Sequence, residues 1–186
     1  MGVEIFIEVC YTDKNDFVEV AMRILVLSDS HSGLHFMRQA IRTVKPNAVV
    51  HLGDYYDDAQ AMAEEFGYIP FHMVGGNCDR YRSYGILQEM LCYDVCGVRL
   101  YMVHGHNHHV KTSTYSLLLD ARHNNAKAAL YGHTHQADCH QEADGLWVLN
   151  PGACGSSGGS VGLIETENGN ILSCRILRQT DLEEMA

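Results

Sequence analysis

The chain has 186 residues, of which 46% are hydrophobic and 19% charged, and its formal net charge at pH 7 is -10. This composition is typical of one globular domain and excludes a disordered chain or a membrane protein. The acidic balance also argues against tight non-specific binding to nucleic acid, which depends on clustered Lys and Arg. For an enzyme that acts on anions, such a charge is unexpected unless a bound cation reverses the local field.

The first 21 residues differ from the rest of the chain. The segment MGVEIFIEVCYTDKND lacks the basic start and the long apolar core of a signal peptide. No stretch of the sequence is long and apolar enough to span a bilayer. A clean strand pattern begins at Met22, so we expect residues 1–21 to be an extension, either an added strand or a poorly anchored tail. Residues 22–180 would then form the domain.

Seven cysteines are distributed along the chain without the spacing of a small disulfide scaffold. This pattern is typical of a reduced, cytoplasmic protein. Cys92 and Cys96 could form half of a zinc clip, but no second close pair completes four ligands. We favour the alternative, in which both are small apolar side chains in a strand.

Strand and helix patterns alternate from Met22 onwards. RILVLSDSH is an apolar run that ends at Asp29, which predicts a buried strand. GLHFMRQAIRTV has apolar residues at helical spacing and is followed by Pro46. AVVHLGD predicts a second strand, DDAQAMAEEFG a second helix, and IPFHMVGGNCD a third strand that runs into a glycine-rich turn. This order indicates a layered α/β sheet.

The second half of the chain predicts further strands and hairpins. LCYDVCGVRLYMVHGH indicates two strands that turn near Gly97, STYSLLLDARH a helix, and KAALYGHTH another strand. Asp144-Gly145 and Asn168-Gly169 predict hairpins, from which we expect a second, largely antiparallel sheet in the last third. The predicted fold class is α/β, with two packed mixed β-sheets flanked by helices. We expect NPGACGSSGGS to be a flexible or tightly turning loop and residues 181–186 to be a frayed acidic tail.

Polar side chains follow five of the predicted strands. Taken singly, each has a structural explanation, because Asp often caps a helix, Asn makes turns and His forms hydrogen bonds in loops. Five such coincidences would be needed at the carboxyl edge of one sheet, where ligands collect in α/β folds. We therefore predict a metal site there. Its candidate ligands are Asp29, His31, Asp54, Asn77, His104, His133 and His135.

The ordered motifs D-x-H, G-D, G-N-x-D, H-G-H and G-H-x-H resemble those of the calcineurin-like metallophosphoesterases. They stand here as Asp29-Ser30-His31, Gly53-Asp54, Gly76-Asn77-Cys78-Asp79, His104-Gly105-His106 and Gly132-His133-Thr134-His135. The resemblance extends from Met22 to the last strands and implies a four-layer α/β/β/α sandwich. The short chain, GNCD and Asn150-Pro151-Gly152 are most similar to the small YfcE-like phosphodiesterases.

The resemblance implies a centre of two divalent metal ions. Asp29, His31 and His135 would hold one ion, Asn77, His104 and His133 the other, and Asp54 would bridge both. A hydroxide held between ions roughly 3.5–4 Å apart would attack phosphorus in line. Imidazole, carboxylate and amide ligands suit Mn, Fe, Co, Ni or Zn, among which we take manganese first. The ions would also let an acidic protein bind a phosphate ester.

The catalytic residues implied by this resemblance are Asp54, Asn77 and His106. Many relatives have His where Cys78 stands, and His106 is the best candidate to replace it as proton donor to the leaving group. The alternative is that His106 only hydrogen bonds a ligand or substrate. We expect Asp79 to orient a ligand. For the pair His108 and His109 we favour solvated loop residues over a basic rim.

The leading functional hypothesis is a phosphodiesterase with a small phosphate-ester substrate and an open site. A phosphomonoesterase is an alternative, whereas a nuclease would show a basic groove. Protein Ser/Thr phosphatase activity is disfavoured because Ala59 stands where that motif has Arg. A protein-interaction scaffold, like the retromer subunit of this fold, competes with an enzyme, but the complete ligand set favours the enzyme. We expect no membrane or strong nucleic-acid binding, and a homo-oligomer stays open.

Overall fold

The computed structural model describes residues 21–79, 87–155 and 158–185. The expected N-terminal extension lies, except for Ala21, outside the described residues. Among the described helices, none combines the length and the apolar character that crossing a bilayer requires.

The first half of the domain alternates strands and helices, as its sequence pattern predicts. Its elements are β1 (Met22–Leu27), α1 (Leu34–Val44), β2 (Ala48–His51), α2 (Tyr56–Glu65) and β3 (Phe71–Met73). The three strands pair in parallel, with Leu25 opposite Val49 and Val50 opposite His72. Their carboxyl ends therefore lie along one edge of the sheet.

The second half contains the remaining strands and two more helices. They are β4 (Met90–Val95), β5 (Val98–Val103), α3 (Tyr115–His123), β6 (Ala128–Leu130), β7 (Asp138–Gln141), β8 (Trp147–Asn150), β9 (Ser160–Glu167), β10 (Asn170–Arg178) and α4 (Gln179–Glu184). The three predicted hairpin turns are confirmed. Gly97, Gly145 and Gly169 turn the chain with φ of 79°, 91° and 75°, values that glycine adopts without a steric penalty.

The ten strands of the described residues form two five-stranded sheets of mixed direction. The order in the first sheet is β10-β9-β1-β2-β3, and in the second β4-β5-β6-β8-β7. The expected second, largely antiparallel sheet in the last third is wrong. The β9–β10 hairpin joins the first sheet, where Leu163 lies opposite Leu25, while β8 runs parallel to β6 in the second. A hairpin signal identifies two paired strands but not the sheet that they join.

Each sheet is covered by helices on its outer face, which confirms the predicted fold class. In β1, Leu25 and Leu27 pack toward α1, α2 and α4, whereas Ile24 and Val26 pack between the two sheets. A third core lies between the second sheet and α3, around Leu117. The result is four layers in the order α/β/β/α. Because β1 is buried on both faces from Ile24 to Leu27, this part of its sequence is continuously apolar.

The C-terminal residues form a helix, so the expectation of a frayed tail over residues 181–186 is wrong. Helix α4 begins with a capping interaction, in which the backbone N–H of Arg178 donates to Asp181 Oδ2 at 2.7 Å. Leu182 is fully buried in the core that α1 also covers. The acidic composition concealed this single anchoring side chain.

The six cysteines within the described residues are free thiols. Cys92 lies in β4 and packs at the edge of the core under α3, and Cys96 packs at the core between the sheets. Both therefore pack with apolar side chains as expected, but Cys96 lies in the turn between β4 and β5 and not in a strand. Cys139 and Cys174 join the edges of the two sheets, with their sulfur atoms 3.2 Å apart.

Replacing Leu182 should measure how firmly α4 is anchored. We expect Leu182→Ala to lower the free energy of unfolding by about 2–5 kcal/mol, because it leaves a cavity in the core. Leu119→Ala, on the partly exposed face of α3, is the matched control and should change it by about 0.5 kcal/mol or less. Urea titrations of both variants make the comparison, and equal midpoints would contradict the anchoring role.

Candidate metal centre

The seven predicted ligands meet where the two sheets present their parallel strand ends. The loops after β1 and β2 are joined by the Asp29 N–H, which donates to the Gly53 carbonyl at 3.0 Å. The loops after β5 and β6 are joined in the same way, by the Gly132 N–H and the His104 carbonyl at 3.0 Å. Together these loops carry the candidate ligands from Asp29 to His135, which are separated by about a hundred positions in the chain.

One half of the site contains Asp29, His31, Asp54 and His135. Each offers one possible ligand atom, and these atoms all lie within 4.8 Å of one another. Asp29 Oδ1 is 3.1 Å from His135 Nε2. Carboxylate oxygens and imidazole nitrogens at this separation can bind a single divalent ion.

The other half is built around His104. Its Nε2 atom lies 3.1 Å from Asn77 Oδ1 and 3.4 Å from Asp54 Oδ1. The His104 and His133 rings are adjacent, with their centroids 5.1 Å apart. Asp54 therefore faces both groups, in the position that a bridging carboxylate requires. The ligand roles themselves stay predictions.

The donor set fits a cation, because polar atoms are buried at the site. Among the described residues, His31 Nε2 is buried without a hydrogen-bond partner, and Asp29 Oδ1 is buried with the His135 imidazole 3.1 Å away. A buried polar atom without a partner costs about 1–3 kcal/mol, and a bound cation would remove this penalty. His104 Nδ1 lies 2.8 Å from the Leu52 carbonyl, to which it can only donate, so the Nε2 lone pair faces the site.

The charge states of the site also suit a cation. Burial raises the pKa of Asp54, but electrostatic interaction with His104 and the Cys78 N–H at 2.8 Å outweigh it and hold that pKa below its usual value. Burial lowers the pKa of His133 to about 4, and interactions with His104 and Lys111 act in the same direction. At neutral pH Asp54 is thus ionised and His133 neutral, which are the forms that bind a metal.

Five of the seven predicted ligands adopt a left-handed backbone conformation. They are Asp29, His31, Asp54, His133 and His135, with φ between 41° and 66°. This conformation costs a non-glycine residue about 1–3 kcal/mol, and it persists only where surrounding contacts enforce it. The strain therefore indicates that these turns are shaped for the site rather than for stability.

Asp79 enforces the conformation at Asp54. Its carboxylate accepts hydrogen bonds from the backbone N–H groups of Asp54 at 2.9 Å, Gly76 at 2.7 Å and Tyr56 at 2.9 Å. It is almost fully buried. Asp79 thus holds the turns that carry Asp54 and Asn77, in agreement with the orienting role that we expected from the sequence.

Two further polar residues support the site, and the sequence did not single them out for this role. Asp58 Oδ2 accepts from Ser30 Oγ at 2.7 Å and from the Ser32 N–H at 2.8 Å, which fixes the turn around His31. In the sequence it reads as one of two acidic residues that start a helix. Asn150 was noted only as part of the NPG motif.

Asn150 is fully buried below the turn that carries His133 and His135. Its Nδ2 atom donates to the Gly132 carbonyl at 3.0 Å and to Thr134 Oγ1 at 2.9 Å. It thereby fixes the turn from the side opposite to Asp29. The loop that follows packs as well, with the Cys154 N–H donating to the Ser28 carbonyl at 3.0 Å.

Two glycines of the motifs allow the backbone to approach the buried carboxylates. A β-carbon at Gly76 would collide with the Asp54 carboxylate, and one at Gly132 would collide with Ser28 Oγ. The same β-carbon at Gly132 would lie 2.8 Å from Asp29 Oδ2. These glycines are required for close approach, which explains why each stands directly before a predicted ligand.

The remaining histidines separate into two groups. His106 lies beside the site, with its ring centroid 5.5 Å from His104 and 6.1 Å from His133. His108 points toward α3, where its Nε2 is 3.1 Å from Asp120 Oδ2. It is thus neither a rim residue nor a freely solvated one. His109 is exposed, as the favoured interpretation expects.

Cys78 occupies the position where many relatives have His. The residue is exposed overall, but its sulfur lies against Asp54. Partial burial and the neighbouring carboxylate raise the pKa of the thiol to about 11. Cys78 therefore stays protonated at neutral pH and is a weak hydrogen-bond donor.

Substituting Gly132 should disturb the site without replacing any of the candidate ligands. We expect Gly132→Ala to weaken divalent-metal binding by about 10- to 100-fold, the range for lost supporting contacts around a metal ligand. Gly67→Ala is the control, because a β-carbon there meets only ordinary contacts at 3.8 Å. Metal titration followed by calorimetry compares the two, and equal affinities would argue against the close-approach role.

Comparisons with known proteins agree with this geometry. Residues 22–169 match the model of the calcineurin-like phosphoesterase superfamily domain. A probable metallophosphoesterase of Mycoplasma pneumoniae is 26% identical over 134 residues, which cover 70% of this chain and 78% of that protein. The probable metallophosphoesterase YsnB of Bacillus subtilis is 28% identical over 135 residues, which cover 71% and 75%.

Several solved structures share the fold. A predicted phosphoesterase from Streptococcus pneumoniae has a TM-score of 0.68 at 22% identity, covering 87% of this chain and 91% of that one. Vacuolar Protein Sorting 29 from Cryptosporidium parvum has a TM-score of 0.63 at 16% identity, covering 85% and 97%. The phosphoesterase YfcE from E. coli has a TM-score of 0.55 at 17% identity, covering 83% and 98%. The resemblance read from the motifs is thereby confirmed.

Proposed function

The chain belongs to the calcineurin-like phosphoesterase superfamily, and from this premise we propose that it is a metal-dependent phosphodiesterase acting on a small phosphate ester. The observation that carries the proposal is the convergence of all seven candidate ligands, with His31 Nε2 buried and without a hydrogen-bond partner among the described residues. A site that had lost its chemistry would not need this buried atom or the strained turns that present the ligands.

The ligand set fits two divalent ions, and we take manganese first, with iron, nickel, cobalt or zinc as alternatives. Asp29, His31 and His135 would hold one ion, Asn77, His104 and His133 the other, and Asp54 would contact both. When bound, such ions neutralise phosphate oxygens and supply hydroxide at neutral pH. They would also give a chain of net charge -10 a locally positive site.

Neighbouring residues orient the candidate ligands. Asp79 fixes the Asp54 backbone, so that the carboxylate stays between the two halves of the site. The Leu52 carbonyl holds the proton on His104 Nδ1 and keeps Nε2 available. Preorganisation of this kind lowers the reorganisation needed when charge develops on the phosphate.

The exposure of the site supports a small, loosely recognised substrate. The His135 side chain is 47% exposed, and Cys78 beside Asp54 is exposed as well. A phosphate group can therefore approach the ligands from solvent. A diester is the preferred substrate in this proposal because the motif set resembles the YfcE-like group.

His106 is the proposed proton donor to the leaving group. It lies beside His104 and His133 but is not one of the seven candidate ligands. Cys78, with a pKa raised to about 11, is a poor donor at neutral pH. An imidazole is in general a better proton donor than a thiol to an alcohol oxygen at neutral pH.

A protein-interaction scaffold is the second candidate, because Vacuolar Protein Sorting 29 has the same fold. The complete ligand set supports hydrolysis over this alternative. A cytoplasmic location belongs to the same proposal and is supported by the six free thiols of the described residues.

Removal of a ligand tests the proposed hydrolysis directly. We expect Asp54→Asn and His104→Ala each to lower kcat/KM for bis-p-nitrophenyl phosphate by more than about 100-fold, a loss of about 2.7 kcal/mol in transition-state stabilisation. Asp94→Asn and His123→Ala, both on exposed surface, are matched controls and should retain activity. Full activity in either ligand variant would refute the assignment, and circular dichroism checks that each variant is folded.

The role of His106 depends on the leaving group. A good leaving group such as p-nitrophenolate needs little protonation, so His106→Ala should affect its release by less than about tenfold. For an alkyl alcohol we expect a loss of about 100-fold or more, within the range for general acid catalysis. Rates for a series of diesters of rising leaving-group pKa provide the measurement. A loss that is the same across the series would remove the acid role.

A further inference from the structure

A cavity of about 380 Å³ lies next to the candidate metal centre. Its lining residues are Val110, Lys111, Tyr131, Thr134, Gln136, Ala137 and Asp138. Thr134 stands between His133 and His135 in the chain, and Val110 and Lys111 lie in the loop that runs from His104 to the start of α3. A volume of this size is within the range of pockets that bind small ligands, about 300–1,000 Å³.

The wall of the cavity nearest to the ligands is rigid. Val110 and Tyr131 are 7% and 5% exposed, and both pack against Gly105 in the loop between His104 and His106. Asn150 holds Thr134 Oγ1 from below at 2.9 Å. The same contacts that fix the ligand-bearing turns therefore fix this wall, so the cavity and the metal centre keep their relative position.

The cavity is lined by one cation, Lys111, and one carboxylate, Asp138. Within the described residues no carboxylate forms an ion pair with the Lys111 ammonium. The Asp138 carboxylate lies 3.0 Å from His140 Nδ1 instead. By contrast, Arg38, Arg122 and Arg175 are all paired with carboxylates. In an acidic chain, an unpaired cation at the mouth of a cavity will attract an anion.

Lys111 also lies close enough to the centre to act on it. It lines the same cavity as Thr134, which stands between His133 and His135 in the chain. A small molecule whose phosphate lies at the candidate ligands would therefore be able to place a second anionic group at Lys111.

We propose that this cavity is a substrate subsite in which Lys111 binds a second anionic group, a carboxylate or a phosphate, carried by the phosphate ester. The inference rests on the proposed function and narrows its substrate class to esters with a second negative charge. Gln136 and the Thr134 hydroxyl line the same cavity and offer polar contacts to the part of the ester that joins the two anions.

Two phosphonates that differ only in the second charge test the subsite by binding. Calorimetry on the metal-loaded protein would compare 3-phosphonopropionate with n-propylphosphonate, which has the same chain length but no carboxylate. We expect about fivefold tighter binding of the carboxylate compound, as for one partly exposed ion pair, with a preference that declines as salt rises. A second pair of phosphonates, each one methylene longer, tests whether a longer chain is needed for the carboxylate to reach Lys111.

Lys111→Met should reduce the preference to about one. Lys127→Met makes the same change in net charge but lies before β6, at the end of the strand opposite to the site, and should keep the fivefold preference. Equal binding of both compounds by the wild-type protein, for both chain lengths, would overturn the subsite. So would a preference that survives in Lys111→Met.

The two proposals fail in different ways. If bis-p-nitrophenyl phosphate is hydrolysed and n-propylphosphonate binds but the carboxylate gives no advantage, only the subsite is refuted. If neither phosphonate binds the metal-loaded protein and no diester is cleaved, the proposed function falls and the subsite falls with it.

Discussion

The hydrogen bond from the His133 N–H to Asp29 Oδ2, at 3.1 Å, joins the two sheets at the site. It connects the turn after β1 in the first sheet with the turn after β6 in the second, across 104 residues of sequence. Ser28 Oγ holds the same oxygen at 2.6 Å, so Oδ1 is left facing His135. One carboxylate thus serves as a structural acceptor on one oxygen and as a candidate metal ligand on the other. Both halves of the centre depend on this junction.

Several features around this junction lower the stability of the fold while they fix the geometry of the site. Left-handed turns at five ligand positions and the buried His31 Nε2 without a hydrogen-bond partner each oppose folding. The surrounding structure offsets them with buried hydrogen bonds, chiefly through Asp79 and Asn150, and with three apolar cores. A divalent ion that binds only the folded protein would add stability through mass action. The centre is therefore coupled to the fold rather than placed on its surface.

Charge is distributed in a way that suits an anionic substrate despite the net charge of -10. Most of the described arginines form salt bridges with carboxylates at the surface. Such pairs add little stability, and they neutralise much of the arginine charge. Attraction for a phosphate would then come from the ions at the centre, with Lys111 as a local addition at the cavity. Such a distribution favours small anions at one place and gives no extended basic surface in the described residues for a nucleic acid.

The sequence by itself determined the strands, the first three helices and the candidate ligands, because apolar periodicity and apolar runs that end in acids, amides and imidazoles are local signals. It also determined the family, since the motifs occur in a fixed order. Only the tertiary structure decided which sheet each hairpin joins, because pairing partners of edge strands are set by long-range packing. The roles of Asp58, Asn150 and Leu182 were equally hidden: a helix-start acid, a turn amide and a leucine in an acidic tail look ordinary until their distant partners are known. Gly76 and Gly132 show the same limit, since their need for a missing side chain arises from carboxylates that reach them through space.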